Sequence, residues 1–225
     1  MKAVEDIKNK YMPRYTAGEE RFNMISHIVG AGLGFIALIF CVAVAAYHQN
    51  SWGILSGIIY GLSAMVLFTM SSLYHGLHVG KAKRVFRILD HCAIFVLIAG
   101  TYTPILLGGF REQYPVDAWV LFSIIWGVAV LGITLNAVNL KKFAKISFVC
   151  YLALGWLAVF RLDQLVSVLG PTFFVLIAVG GVLYTVGAAF YVVGGKKKYM
   201  HSVFHLFVVA ASVVHSTAIA MFAMV

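Results

Sequence analysis

Charge is what this sequence has least of. Only 11% of its 225 residues are Asp, Glu, Lys or Arg, against roughly 25% in an ordinary soluble domain. Whole stretches carry none of the four: 22–80, 91–110, 118–140, 146–160, 164–195 and 199–225. About 20 mostly apolar residues span a bilayer, so most of the chain belongs in lipid and a soluble globular protein is excluded. The three cysteines, Cys41, Cys92 and Cys150, lie far apart inside apolar runs, which excludes a secreted disulfide scaffold. Continuous basic surface is missing too. The net charge is +9, but the cations sit in short clusters between apolar runs and build no groove for nucleic acid.

What is present is hydrophobic: 62% of residues are apolar and the mean hydropathy is +0.93. The breaks between runs predict seven helices, near 24–47, 52–76, 88–108, 118–138, 145–161, 171–193 and 200–223. The run 22–80 is too long for one span and divides at His48-Gln49-Asn50-Ser51. Gly108-Gly109 and Gly170-Pro171 supply turn chemistry where loops are needed. The first 22 residues are polar and mixed in charge. A cleavable signal peptide needs its apolar core sooner, and none is expected.

Orientation follows from the cations, because Lys- and Arg-rich loops stay in the cytoplasm. The N-terminal segment holds Lys2, Lys8, Lys10, Arg14 and Arg21, and the second loop holds Lys81, Lys83, Arg84 and Arg87. Lys141, Lys142 and Lys145, then Lys196, Lys197 and Lys198, complete 15 of the 17 positive residues on alternate connections. Only Arg111 and Arg161 fall on the other face. The expected fold is an all-α integral membrane protein: a cytoplasmic N-terminal segment, 1–22, and a bundle of seven transmembrane helices, 23–225, with the C-terminus outside.

Ionisable groups at membrane depth are costly and mark function by default. The last helix opens His201-Ser202-Val203-Phe204-His205, an i, i+4 pair on one face. Alone, the pair suits two ligands of one metal ion or two hydrogen-bonding imidazoles. The second helix ends Ser71-Ser72-Leu73-Tyr74-His75. Its His75 face runs back through Ser71, Ala64, Gly61, Gly57 and Gly53, a stripe of small residues that lets a neighbouring helix approach closely. Asp90 opens the third helix, where an acid also offsets the helix dipole. The predicted topology sets His75, Asp90, His201 and His205 at one level near the cytoplasmic surface. Three imidazoles with a fourth position open to water is a catalytic zinc arrangement. His27, after Asn23 and Ser26, falls at the same level and suits a supporting role. His215 is about 15 Å further along the last helix, too far for the same ion. His78 and His91 suit the headgroups, and Arg161 with Asp163 reads as a solvated pair.

These residues together resemble the hemolysin III proteins of bacteria, which group with the progestin and adipoQ receptors and, more distantly, the alkaline ceramidases. The marks are Glu19-Glu20 with Asn23 and Ser26-His27; Ser71 with His75; Leu89-Asp90-His91-Cys92 running to Gly100-Thr101-Tyr102-Thr103-Pro104; and His201 to His205 with His215. The resemblance covers residues from about Glu19 to Phe222. It implies a zinc ion near the inner face bound by His75, His201 and His205, with Asp90 acting through water and Ser71 as the motif serine. It also implies a bacterial cell membrane location.

The first functional expectation is therefore a zinc-dependent hydrolase acting on a lipid amide or ester. The second is a sensor or receptor whose zinc is structural. A membrane-perturbing, hemolytic protein comes last, since the chain has no amphipathic insertion segment. A retinal protein is excluded because residues 199–225 contain no lysine. The expected partner is a membrane lipid, not nucleic acid.

Overall fold

The structure is a computed structural model describing residues 12–13, 15–194 and 197–225. Most of the polar N-terminal segment, with Lys2, Lys8, Lys10 and Arg14, lies outside the described residues, as does Lys196. The described residues are helical throughout, with no strand. Helix α1 spans Ala17–Tyr47, α2 Ser51–Gly76, α3 Lys81–Thr103, α4 Pro115–Gly155, α5 Leu162–Gly194 and α6 Met200–Ala218. Wider π turns extend α3 through Pro104–Phe110 and α6 through Ile219–Ala223, and a 3-10 turn, Leu157–Arg161, joins α4 to α5.

Two helices begin well before the apolar runs that predict them. Helix α1 starts at Ala17 because Thr16 and Glu19 form a reciprocal capping box: Thr16 accepts from the Glu19 amide, and the Glu19 carboxylate accepts from Thr16. Helix α3 starts at Lys81, so Asp90 lies in its third turn and cannot offset the helix dipole at the start. A charged helical turn projecting beyond the apolar slab carries no hydropathy signal, which is why these boundaries fall late in the sequence. The small-residue stripe on α2 does what its pattern predicts. Gly61 lies so close to Leu38 of α1 that a Cβ there would collide with the Leu38 side chain and backbone.

Helix α3 is the most enclosed of the long helices, with 72% of its most apolar window buried against 28% for α1. The outward side of α1 exposes Ile25, Ile28, Phe35, Ile36, Ile39 and Phe40. Such a surface is tolerable only in an apolar surround, where lipid replaces water.

Helix α4 has 41 residues, about 60 Å if straight, twice a bilayer core of roughly 30 Å. It breaks at Asn139, where φ is −159° and ψ 86°. Ser147 donates to Asn136 Oδ1 at 2.6 Å although eleven residues along a straight helix would part them by about 16 Å. The chain therefore doubles back. The return limb ends where the outward limb began, with Arg161 bonded to Asp117 at 3.1 Å and not to Asp163, the partner suggested by sequence. Helix α5 breaks at Gly170, whose φ of 82° suits glycine and whose position before Pro171 disfavours helical backbone.

Among the described residues, five helices are long and apolar enough to cross a membrane, and one of them is the broken run Pro115–Gly194 of 80 residues. Where the sequence predicts seven spans, the described residues thus show five apolar helical runs, the longest of them broken at Asn139 and Gly170. Glu19 of α1 accepts from the Tyr199 amide at 2.6 Å beside the start of α6. Ala223 at the far end packs against Gly109, near the Asn50–Gly108 hydrogen bond. The start of α1 and the end of α6 thus lie at opposite ends of the bundle.

Candidate metal centre

Three imidazoles from two helices meet at the α1-start end of the bundle. His75 closes α2, and His201 and His205 occupy the first turns of α6. All three are buried, and one ligand nitrogen from each lies within 4.8 Å of the others. His201 Nε2 and His205 Nε2 face each other at 3.2 Å. Ligands on a tetrahedral ion at zinc–nitrogen distances of 2.0–2.1 Å stand about 3.3 Å apart, so this pair already has the right spacing. His75 Nε2 is buried without a partner, because its Nδ1 faces Glu20 Oε2 at 2.7 Å. A buried lone pair without a donor is costly. A divalent cation answers that need, and the donor set fits one.

Two further predicted residues stand beside the histidines. Ser71, one turn before His75, lies within hydrogen-bonding reach of the Asp90 carboxylate, which also feels His75 electrostatically. Asp90 lines the cavity described below. His27 stacks on His205 at 3.8 Å between ring centroids and so supports a ring of the cluster. His91 also lines the cavity and does not project among headgroups. His215 is well removed and has a different partner, the Ile177 carbonyl at 3.1 Å.

The structure adds residues the sequence reading passed over. Lys83, counted there as a loop cation, is 2% exposed and donates to Glu20 Oε1 at 2.8 Å and to the Leu77 carbonyl. Glu20 therefore carries a buried ammonium on one oxygen and His75 on the other. Such a carboxylate fixes the His75 tautomer with its Nδ1 proton toward Glu20 and its Nε2 lone pair toward the cluster. The signal available beforehand was that Glu20, one of eight acids, belongs to the Glu19-Glu20 pair among the marks of the family resemblance, which gave it no role. Tyr15 stacks over His201 at 4.8 Å, covering the cluster from the side of the N-terminal segment. On this geometry Glu20→Gln should weaken the affinity for added zinc, used as the probe ion, by about 10–100-fold while leaving the protein inserted. Titration against a competing chelator checks it, and unchanged affinity would remove Glu20 from the site.

From the histidines a cavity of ≈ 230 Å³ runs into the bundle. Its α3 wall extends from Arg87 to Ile105, roughly 25 Å along the axis. The remaining walls come from α2, α5, α6 and the return limb of α4, with Tyr15 and His27 at the histidine end, and the lining is mostly apolar beyond the level of Asp90 and His91.

The sequence matches the family model described as haemolysin-III related over residues 15–216. Hemolysin-3 of Bacillus cereus is 39% identical over 194 residues, 86% of this chain and 87% of that protein. The hemolysin-3 homolog of Bacillus subtilis is 37% identical over 198 residues, 88% and 91% of the two chains. The human monocyte to macrophage differentiation factor is 26% identical over 218 residues, 93% and 86% of the two. Agreement of this extent, along a chain whose long helices are too apolar for water, makes the protein a multi-pass cell membrane member of the haemolysin-III-related family.

Proposed function

We propose that this protein is a zinc-dependent hydrolase that cleaves an amide or ester bond of a lipid at the cytoplasmic side of the bilayer. One observation carries the reading: three buried imidazoles stand at the end of an apolar cavity long enough for an acyl chain. Zinc held by His75, His201 and His205 would supply a Lewis acid for the scissile carbonyl and would lower the pKa of a bound water toward 7. Asp90 takes the proton of the attacking water on a carboxylate oxygen, and Ser71 holds that carboxylate in place. The apolar walls hold the chain and exclude bulk water.

The proposed topology has seven crossings with the N-terminus inside. Its support is the reversal at Asn139, the break at Gly170 and the clustering of cations on alternate connections. Each limb of the run Pro115–Gly194 is then about one bilayer long.

A second reading, a receptor with a structural zinc, draws on the Tyr15 ring lying over His201. The resemblance to progestin and adipoQ receptors points the same way. Purified protein separates the two. The hydrolase should hold one zinc per chain by elemental analysis and release fatty acid from a panel of lipid amides and esters. Stoichiometric zinc with no turnover of any lipid would favour the receptor, and absence of zinc would defeat both.

A further inference from the structure

The hydrolase reading uses the histidines, Asp90 and Ser71, but it leaves the outermost wall of the cavity without a role. Arg87 stands there, one helical turn before Asp90 on α3, and lines the cavity. It is only partly exposed. Among the described residues no hydrogen bond or ion pair holds its guanidinium. Tyr74 lines the same wall; it is 3% exposed, and its hydroxyl is buried without a partner. Tyr15 and Tyr191 line it as well and share electrostatic contact with Arg87 and with one another. The Lys83 ammonium lies 5.0 Å from the Tyr74 ring centroid, adding positive potential from behind.

A guanidinium with unused donors beside an orphaned buried hydroxyl is built to receive an oxyanion. The planar fork of arginine matches phosphate and carboxylate geometry, and a phenol supplies a further donor. An arginine that merely reached for the lipid headgroups would not line an interior wall. Glu20 is already taken by His75 and Lys83, and Asp90, one turn along α3, feels the Arg87 charge but makes no ion pair with it among the described residues. An anion at Arg87 lies about 4.5 Å nearer the start of α3 than Asp90, so the first bonds of an attached chain reach the level of Asp90.

We propose that Arg87, Tyr74 and Tyr15 form a head-group subsite for the anionic head of a single-chain lipid, whose acyl tail fills the cavity beyond. The subsite deepens the hydrolase reading and rests on it for the cavity being a lipid site. It gives the substrate class as a single-chain amphiphile with a phosphate-like head.

Binding of uncleavable ether lipids tests this apart from turnover. Purified protein in neutral detergent is titrated with an alkyl-ether glycerol phosphate, with the matching uncharged alkyl-ether glycerol and with inorganic phosphate. The wild type should bind the phosphate lipid at least about tenfold tighter than the uncharged one, the gain expected of charge-assisted hydrogen bonds. Arg87→Gln should erase that preference, Arg87→Lys should keep part of it, and Tyr74→Phe should reduce it several-fold. Lys145→Gln, which removes an exposed cation elsewhere, should leave it intact. Equal affinity for the two lipids in the wild type, or an unchanged preference in Arg87→Gln, would overturn the subsite. Inorganic phosphate competing as well as the phosphate lipid would overturn the lipid assignment in favour of a free anion. A retained preference in a protein with zinc but no turnover would overturn the hydrolase reading and leave the subsite standing.

Discussion

In the proposed zinc centre, His205→Ala should reach the membrane as the wild type does and lose nearly all bound zinc. His205 is 1% exposed, so no surface group can swing in to replace its ring. Its Nε2 stands 3.2 Å from that of His201, the pair already set at ligand spacing. Removing one member leaves His75 and His201, too few protein ligands for a zinc site that normally takes three or four. The cost to folding is smaller than the cost to the metal. The deletion opens a void against His27, which stacks on the lost ring, but the close packing of α1 on α2 continues away from the site along the small-residue stripe. His205→Gln fills more of that void and should show the same metal loss, which separates ligand removal from collapse. Elemental analysis of detergent-purified protein decides it. A zinc content equal to wild type in both variants would take His205 out of the centre.

How much of this could be read beforehand depends on what hydropathy can see. The apolar runs predict where chain lies in lipid, since an uninterrupted run has no other stable place. The i, i+4 pair His201 and His205 shares a face by helical geometry alone, and the His75 face points inward because glycine and alanine line it. Bringing α2 and α6 together needed the positive-residue asymmetry, an argument about level in the membrane that does not require any contact to be known. Glu20 and Lys83 escaped this reasoning for a physical reason. Both lie in charged turns beyond the apolar slab, where every residue looks solvated, and only the folded chain shows that Lys83 is buried against Glu20. The same blindness hid the early starts of α1 and α3 and misplaced the partner of Arg161. A loop cation beside a loop acid is indistinguishable by pattern from one that reaches across to another helix. Helix breaks are the intermediate case. Gly170-Pro171 announces itself chemically, but the reversal at Asn139 follows one ordinary residue whose φ of −159° any sequence can adopt.

On the proposed hydrolase mechanism, Asp90→Asn should keep bound zinc and lose hydrolysis. The asparagine is the same size, can still receive the Ser71 hydroxyl on its remaining oxygen, and leaves His75, His201 and His205 untouched, so the metal content should match wild type. What it cannot do is accept a proton. Positioned proton transfer contributes typically 10²–10⁴-fold to a rate, so kcat should fall by about that factor while KM for a lipid substrate changes little. Ser71→Ala separates proton acceptance from positioning. It leaves the carboxylate in place but unheld, and its loss should be smaller, of the order of the ~1 kcal/mol that an ordinary hydrogen bond contributes, or about fivefold. Full activity in Asp90→Asn would show that the carboxylate does not handle the water. Loss of zinc in that variant would make Asp90 a ligand and shift the task of taking the proton to another group lining the cavity, His91 being the nearest along α3.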